Sequence, residues 1–253
     1  MISHRTIGNR VRPVLVTTRG FGHMVEVGDP VSQARIYEAQ MADELVVLNI
    51  DSTPIGQDVA MLDLIEHLAS ETFMPLAVGG GVQTVDDFAR LLERGADKVV
   101  VNTAALESPE LIRKAASRFG AQCVVVSVDF RLQADGTHQV MRVRASQPTG
   151  IGVLDWAKRA VALGAGELIL TDADRDGSGD GLNIAVGRAV AEAVPVPVVL
   201  SGGCGRSEHF ASGFLEGLAE GVAAGTFFSL RDQNPMQTRA HIRNAGVAIR
   251  VET

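Results

Sequence analysis

The chain has 253 residues, 46% of them hydrophobic and 4% aromatic, with 23 Lys and Arg against 30 Asp and Glu for a net charge of −7. This length suits one (β/α)8 barrel or two smaller domains around a mostly aliphatic core. An acidic chain without a basic run argues against nucleic-acid and membrane partners. The opening Met1-Ile2-Ser3-His4-Arg5 lacks the apolar core of a signal peptide, and no apolar run nears the roughly 20 residues of a membrane span.

In chain order, short β-branched runs alternate with helical periods. Residues 11–16 read as a first strand, and the loop after them carries His23, which would face a functional mouth. Strands follow at 45–50, 75–78, 98–101, 123–128, 167–171, 196–200 and 221–224. Helical patterns fall at 59–69, 85–94, 109–119, 153–163, 184–193 and 208–216. Thr84 and Ser108 supply capping residues, and Gly95, Gly120 and Gly164 supply helix stops. Continuous apolar strands of this kind are buried on both faces, as parallel strands are. After the fifth strand, Ala134-Asp135-Gly136-Thr137 between 130–132 and 139–144 predicts a small hairpin. Without a linker or low-complexity break, the expectation is one α/β domain over 1–253, a (β/α)8 TIM barrel.

The chain also repeats itself. Val78-Gly79-Gly80-Gly81 and Val99-Val100-Val101-Asn102-Thr103 recur as Leu200-Ser201-Gly202-Gly203 and Val222-Ala223-Ala224-Gly225-Thr226, about half a chain later. Phe88, Ala89 and Gly95 match Phe210, Ala211 and Gly217 at the same offset, and the segment 43–51 matches 166–174. A strand–glycine turn–helix–strand repeat predicts two similar half-barrels, roughly 1–122 and 123–253.

Glycine turns at strand ends let backbone N–H groups approach an anion. Gly81 with Asn102 and Thr103 forms one candidate phosphate cradle, and Asp176-Gly177, Gly203 and Ala224-Gly225 form a second; tight turn closure is the structural alternative. Asp129 ends a buried apolar strand, where a carboxylate is costly unless paired or used. It is the candidate general acid or base, or else a loop cap. Asp172, Asp174 and Asp176 alternate as metal ligands do, but the closing Glu of a calcium loop is missing and Arg175 sits among them. Arg10, Glu44, Lys98 and Glu167 stand at or just before strand starts and predict a charged ring at the opposite end, acting as a plug or as a gate. The six histidines have no metal-ligand spacing, and no Walker motif or nucleophile elbow occurs. Cys123 and Cys204 read as reduced thiols of a cytoplasmic protein.

The strings Asp43-Glu44-Leu45, Val78-Gly79-Gly80-Gly81, Gly95-Ala96-Asp97-Lys98-Val99, Val101-Asn102-Thr103-Ala104-Ala105, Gly164-Ala165-Gly166-Glu167, Asp174-Arg175-Asp176-Gly177 and Ser201-Gly202-Gly203, with the run 125–129, resemble HisF, the cyclase family of imidazole glycerol phosphate synthase. The resemblance runs over nearly the whole chain, with the motifs in order. It implies a lyase-class subunit of a glutamine amidotransferase complex. A HisH-type glutaminase would dock at the N-terminal face beside Asp97. Ammonia would pass the gate Arg10, Glu44, Lys98 and Glu167 and reach a phosphorylated substrate at the C-terminal face. Asp129 would be a catalytic acid, with phosphates on Gly81, Asn102, Thr103, Asp176, Gly177, Gly203, Ala224 and Gly225. No cofactor or metal is implied.

The departures cluster at the chemical mouth. On this alignment Val16 replaces a strand-one aspartate, Asn49 another aspartate, Asp172 a small hydroxyl residue and Gly225 a serine, and a substrate-contacting lysine has no counterpart in 19–24. Residues 72–76 and 223–228 are similar to a HisF-like branch that works with a glutaminase and a sugar amidotransferase to supply ammonia for amidino-sugars of lipopolysaccharide. The expectation is therefore ammonia channelling with altered chemistry. Histidine-biosynthetic cyclization and a non-catalytic scaffold binding a phosphorylated metabolite and a glutaminase are the competing functions.

Overall fold

The computed structural model describes residues 1–7, 10–51 and 53–250, without the side chains at 7 and 10. Twelve strands are assigned among them: β1 Ile2–Ile7, β2 Arg10–Arg19, β3 His23–Gly28, β4 Leu45–Leu48, β5 Leu76–Gly79, β6 Lys98–Val101, β7 Val124–Leu132, β8 His138–Arg142, β9 Gln147–Gly152, β10 Glu167–Asp172, β11 Val198–Ser201 and β12 Gly221–Ala223. The helices are α1 Pro30–Ala39, α2 Val59–Glu71, α3 Val85–Glu93, α4 Thr103–Glu107, α5 Glu110–Phe119, α6 Val153–Ala162, α7 Ile184–Ala191, α8 Ser207–Leu215, α9 Thr226–Leu230 and α10 Pro235–Asn244.

Seven strands form a curled parallel sheet in the order β12-β11-β10-β7-β6-β5-β4, with helices following the strands: a TIM-barrel fold. The hairpin strands β8 and β9 extend β7 antiparallel. Between the sheet's edges lies an antiparallel three-stranded sheet, β1-β2-β3. It meets β4 through a parallel bridge from Ile2 to Asn49, with the Ile50 N–H donating to Ile2 O at 2.9 Å. On the other side the Thr17 hydroxyl lies 2.5 Å from that of Thr226, at the start of α9.

This corrects one expectation. Residues 11–16 are not the first parallel strand; they lie in β2, which runs antiparallel to both β1 and β3. Apolar β-branched residues mark a strand but not its partner or direction. The element that meets β4 in parallel is β1, whose Ser-His-Arg-Thr interior carries no apolar signal. Helices α1 and α10 fall outside the expected helical patterns, although each has an Asx cap followed by proline: Asp29 accepts from the Ser32 N–H, and Asn234 from the Gln237 N–H.

Side chains of the parallel strands alternate between two cores. One set (Val99, Val101, Val124, Val126, Val128, Leu168 and Leu170 among them) packs against the helices in the main core. The other, Ala77, Val100, Val125 and Ile169 with Val46, Leu48 and Val199, fills the barrel interior. Typical of the helix layer is α3: Thr84 and Asp87 form a reciprocal capping box, and Phe88 and Leu91 are fully buried.

The half-barrel repeat is visible atom by atom. The Asp51 N–H donates to Asn49 Oδ1 at 2.9 Å, and the Asp174 N–H to Asp172 Oδ1 at 3.0 Å. Asn49 Nδ2 donates to Asp58, the α2 cap, at 3.0 Å; Asn183 Nδ2, on the α7 cap, donates to Asp172 at 2.8 Å. The same pair thus occurs in both halves with amide and carboxylate exchanged. Gly80 (φ 88°) and Gly202 (φ 86°) press their backbones against those strand ends, and an added Cβ would sit 1.9 Å from Asn49 O and 2.5 Å from Asp172 O. Gly80→Ala and Gly202→Ala should each destabilise the fold by about 2–4 kcal/mol, through backbone overlap plus a left-handed φ. Urea unfolding measures this; Gly136→Ala, with open space around it, should cost about 1 kcal/mol.

Candidate functional site

The strand alternation lines up three interior columns. On β6 they are Lys98, Val100 and then Asn102; on β7, Val125, Ser127 and Asp129; on β10, Glu167, Ile169 and Thr171. Each column ends at the C-terminal mouth in polar groups. On β6 and β10 the other end is a charge at the N-terminal floor. Asn102 lies four residues beyond Lys98, about 13 Å along an extended strand.

At the mouth, Asp129 is buried and bracketed. Asn102 Nδ2 donates to its Oδ2 at 2.7 Å, and Ser127 Oγ to its Oδ1 at 3.1 Å. Burial raises its pKa to about 6; the nearby Asp176 carboxylate pushes the same way, while the two hydrogen bonds oppose. A carboxyl poised there can accept or return a proton near neutral pH. Asp176 is itself raised by burial, and its Oδ2 accepts from Thr18 Oγ1 at 2.7 Å and from the Phe21 N–H at 3.2 Å.

The other crowded aspartates are committed to N–H donors. Asp172 accepts from the Asp174 and Arg175 N–H groups and from Asn183. Asp174 accepts from Arg131 at 2.6 Å and from the Leu132 N–H at 2.9 Å. Their alternation is turn chemistry, and no His, Cys, Asp and Glu group suited to a metal occurs among the described residues.

The glycine turns fall on neighbouring strand ends. Gly79 is level with Val100 on β6, and beyond it Gly81 packs on the loop after β4, its O accepting from the Ile55 N–H at 3.1 Å. Ser201 is level with Ala223 on β12, and beyond it Gly203 packs on the loop after β10, its O accepting from the Gly181 N–H at 2.8 Å. Gly81 and Gly203 have φ of 74° and 111°. Gly177 (φ 67°) packs on the Thr18–Arg19 backbone of β2, so the hairpin walls the second turn. Thr103 Oγ1 accepts from the Val143 N–H at 3.4 Å. Asp176 turns its carboxylate to the hairpin, which leaves only its backbone for an anion.

At the floor, Lys98 Nζ lies 2.7 Å from both Glu44 Oε2 and Glu167 Oε2. Burial works against the Lys98 charge, but the two carboxylates outweigh it and hold the pKa above the usual lysine value. Burial raises Glu44. The Arg10 side chain lies outside the described residues; its backbone pairs with Ile7 at the far end of the β1–β2 hairpin. Asp97 Oδ2 accepts from the Leu76 N–H at 2.8 Å, fastening the start of β5 as Glu220 fastens Val198. His23 pairs with Arg19 at the start of β3 and is exposed. Burial pushes the Cys204 thiol up to about 12, so it stays protonated.

Sequence reasoning missed Ser127, which lies on Asp129's face of β7 two residues before it; period-two alternation could have found it. It also missed His4, whose Nδ1 lies 2.6 Å from Asp51 and whose Nε2 lies 3.2 Å from Asp58. At the strand-one position Val16 on β2 and Met1, just before β1, stand opposite each other, and the bridge sets Ile2 against Asn49 as Phe130 is set against Asp172. The Val16 N–H donates to Met1 O from β2.

The family model described as "Histidine biosynthesis protein" matches residues 8–232. A Prochlorococcus marinus (strain MIT 9313) protein, provisionally named imidazole glycerol phosphate synthase subunit hisF2, is 46% identical over 241 residues, covering 95% of this chain and 92% of its own length. The chain belongs to this HisF-like family. No helix among the described residues is long and apolar enough to cross a membrane.

Because burial lifts Asp129 above its unfolded value of 3.8, the folded state holds that proton more tightly. Its contribution to stability is full below about pH 4 and lost as pH rises through about 6, a difference of about 3 kcal/mol. Asp129→Asn should therefore gain stability relative to the parent as pH is raised from 4 to 7, as read by urea unfolding at several pH values.

Proposed function

We propose that this HisF-like chain is a synthase subunit that takes ammonia from a HisH-type glutaminase at its N-terminal floor and delivers it to a phosphorylated acceptor at the opposite mouth. One observation carries the reading. The same interior face holds the Glu44–Lys98–Glu167 cluster at one end and Asp129 at the other, with aliphatic side chains between them. Ammonia is small and neutral enough to cross an apolar layer from which charged groups are excluded. Asp97, at the start of β6, belongs to the docking face. The two glycine turns bind phosphate through backbone N–H groups, and Asp129 moves the proton.

The acceptor we favour is that of the amidino-sugar branch, working with a sugar amidotransferase. Val16, at the position that the resemblance gives to a strand-one aspartate, transfers no proton, so the mouth lacks that acid. A second reading, ring closure to imidazole glycerol phosphate, is favoured by the buried Asp176 carboxyl near Asp129, which would supply a second acid.

The experiment supplies the aminoimidazole-forming ribonucleotide intermediate with either ammonium salt or glutamine plus the partner glutaminase. Stimulation of the glutaminase without imidazole product supports the favoured acceptor; product supports the second reading. Neither result leaves a scaffold and defeats the proposal. In whichever reaction is found, Asp129→Asn should lower turnover by about 10²–10⁴. Lys98→Met should depress glutamine-driven turnover more than ammonium-driven turnover.

A further inference from the structure

One buried atom at the mouth has no partner. Asn102 spends its amide nitrogen on Asp129 Oδ2, whereas its Oδ1 is shielded from solvent and accepts no hydrogen bond among the described residues. The amide cannot simply be turned over. Above about pH 6, where Asp129 is ionised, that would set its oxygen 2.7 Å from a carboxylate oxygen, two acceptors with no proton between them. An exposed donor would suit a phosphate; a buried orphan acceptor does not. It calls for a ligand that brings N–H or O–H bonds.

Two further acceptors stand around the same carboxylate. Ser127 Oγ directs its single proton to Asp129 Oδ1 and keeps its lone pairs, and Ser127 and Asp129 are each only 7% exposed. The layer beneath, Ala77, Val100, Val125 and Ile169, offers no hydrogen bond. A small polar molecule moving up the interior would find its first acceptors here.

We propose that Asn102 Oδ1, Ser127 Oγ and the Asp129 carboxylate form a subsite for ammonia at the inner edge of the mouth. Three N–H bonds meet three acceptors, and the nitrogen lone pair is left free. The identity of the ligand rests on the ammonia reading above, but its binding is measurable without any turnover.

The test is a titration of ¹⁵N-labelled protein with ammonium chloride at mildly alkaline pH, following the Asn102 side-chain amide. Potassium chloride and tetramethylammonium chloride, which lack N–H bonds, are the controls. The expected result is a saturable shift with ammonium alone, weakened about tenfold in Ser127→Ala, as loss of one hydrogen bond implies, and restored in Ser127→Thr. A shift that follows potassium or tetramethylammonium equally, or saturation that Ser127→Ala leaves unchanged, overturns the subsite. If Ser127→Ala fails to fold, Asn102→Leu is titrated instead, following the ¹³Cγ resonance of Asp129, with the same expectations. Ammonium-dependent turnover whose KM for ammonium is the same in Ser127→Ala would also overturn the subsite while leaving the proposed function standing. An ammonium-specific titration without turnover on any acceptor would uphold the subsite and defeat the proposed function.

Discussion

The two-residue alternation of a parallel strand is the constraint on which the site depends. Each strand buries both faces, one against helices and the other inside the barrel. Every second residue is therefore forced onto the axis, and so few residues span the barrel that one aliphatic layer separates floor from mouth. Lys98 and Asn102 are two steps apart on one column, as Val125 and Asp129 are on the next. A one-residue slip would send Asp129 into the helix layer and Val128 onto the axis.

The charges at the two ends differ in kind. At the floor, Lys98 bridges one oxygen of each of two glutamates, and the three residues remain partly open to solvent. At the mouth, Asp129 has only neutral donors, Asn102 and Ser127, so burial prevails and its proton is held toward neutral pH. At the floor two carboxylates hold Lys98 in its charged form; the mouth is a carboxyl that can change its charge. Asp172 and Asp174 are equally acidic in sequence, yet their oxygens are occupied by N–H groups of the turn and by Asn183 and Arg131.

Much of this was legible in the sequence. The continuous apolar runs gave seven parallel strands to within a few residues, and the half-length repeat anticipated the paired glycine turns at Gly80–Gly81 and Gly202–Gly203. Asp129 stood out as a carboxylate closing a buried run. The N-terminal region was not legible. Residues 11–16 looked like a barrel strand because periodicity says nothing of direction, while β1, with its polar interior, met β4 unseen. Ser127 was passed over because a lone serine in a valine run carries no signal until its face is known.

The exchanged pairs Asn49–Asp58 and Asp172–Asn183 have a genetic consequence. Each contact needs one amide and one carboxylate but is indifferent to which residue supplies which. Either substitution alone, Asn49→Asp or Asp58→Asn, would set two like groups together; both at once would regenerate the chemistry of the other half. These positions should therefore change together across related chains, one supplying the amide wherever the other supplies the carboxylate.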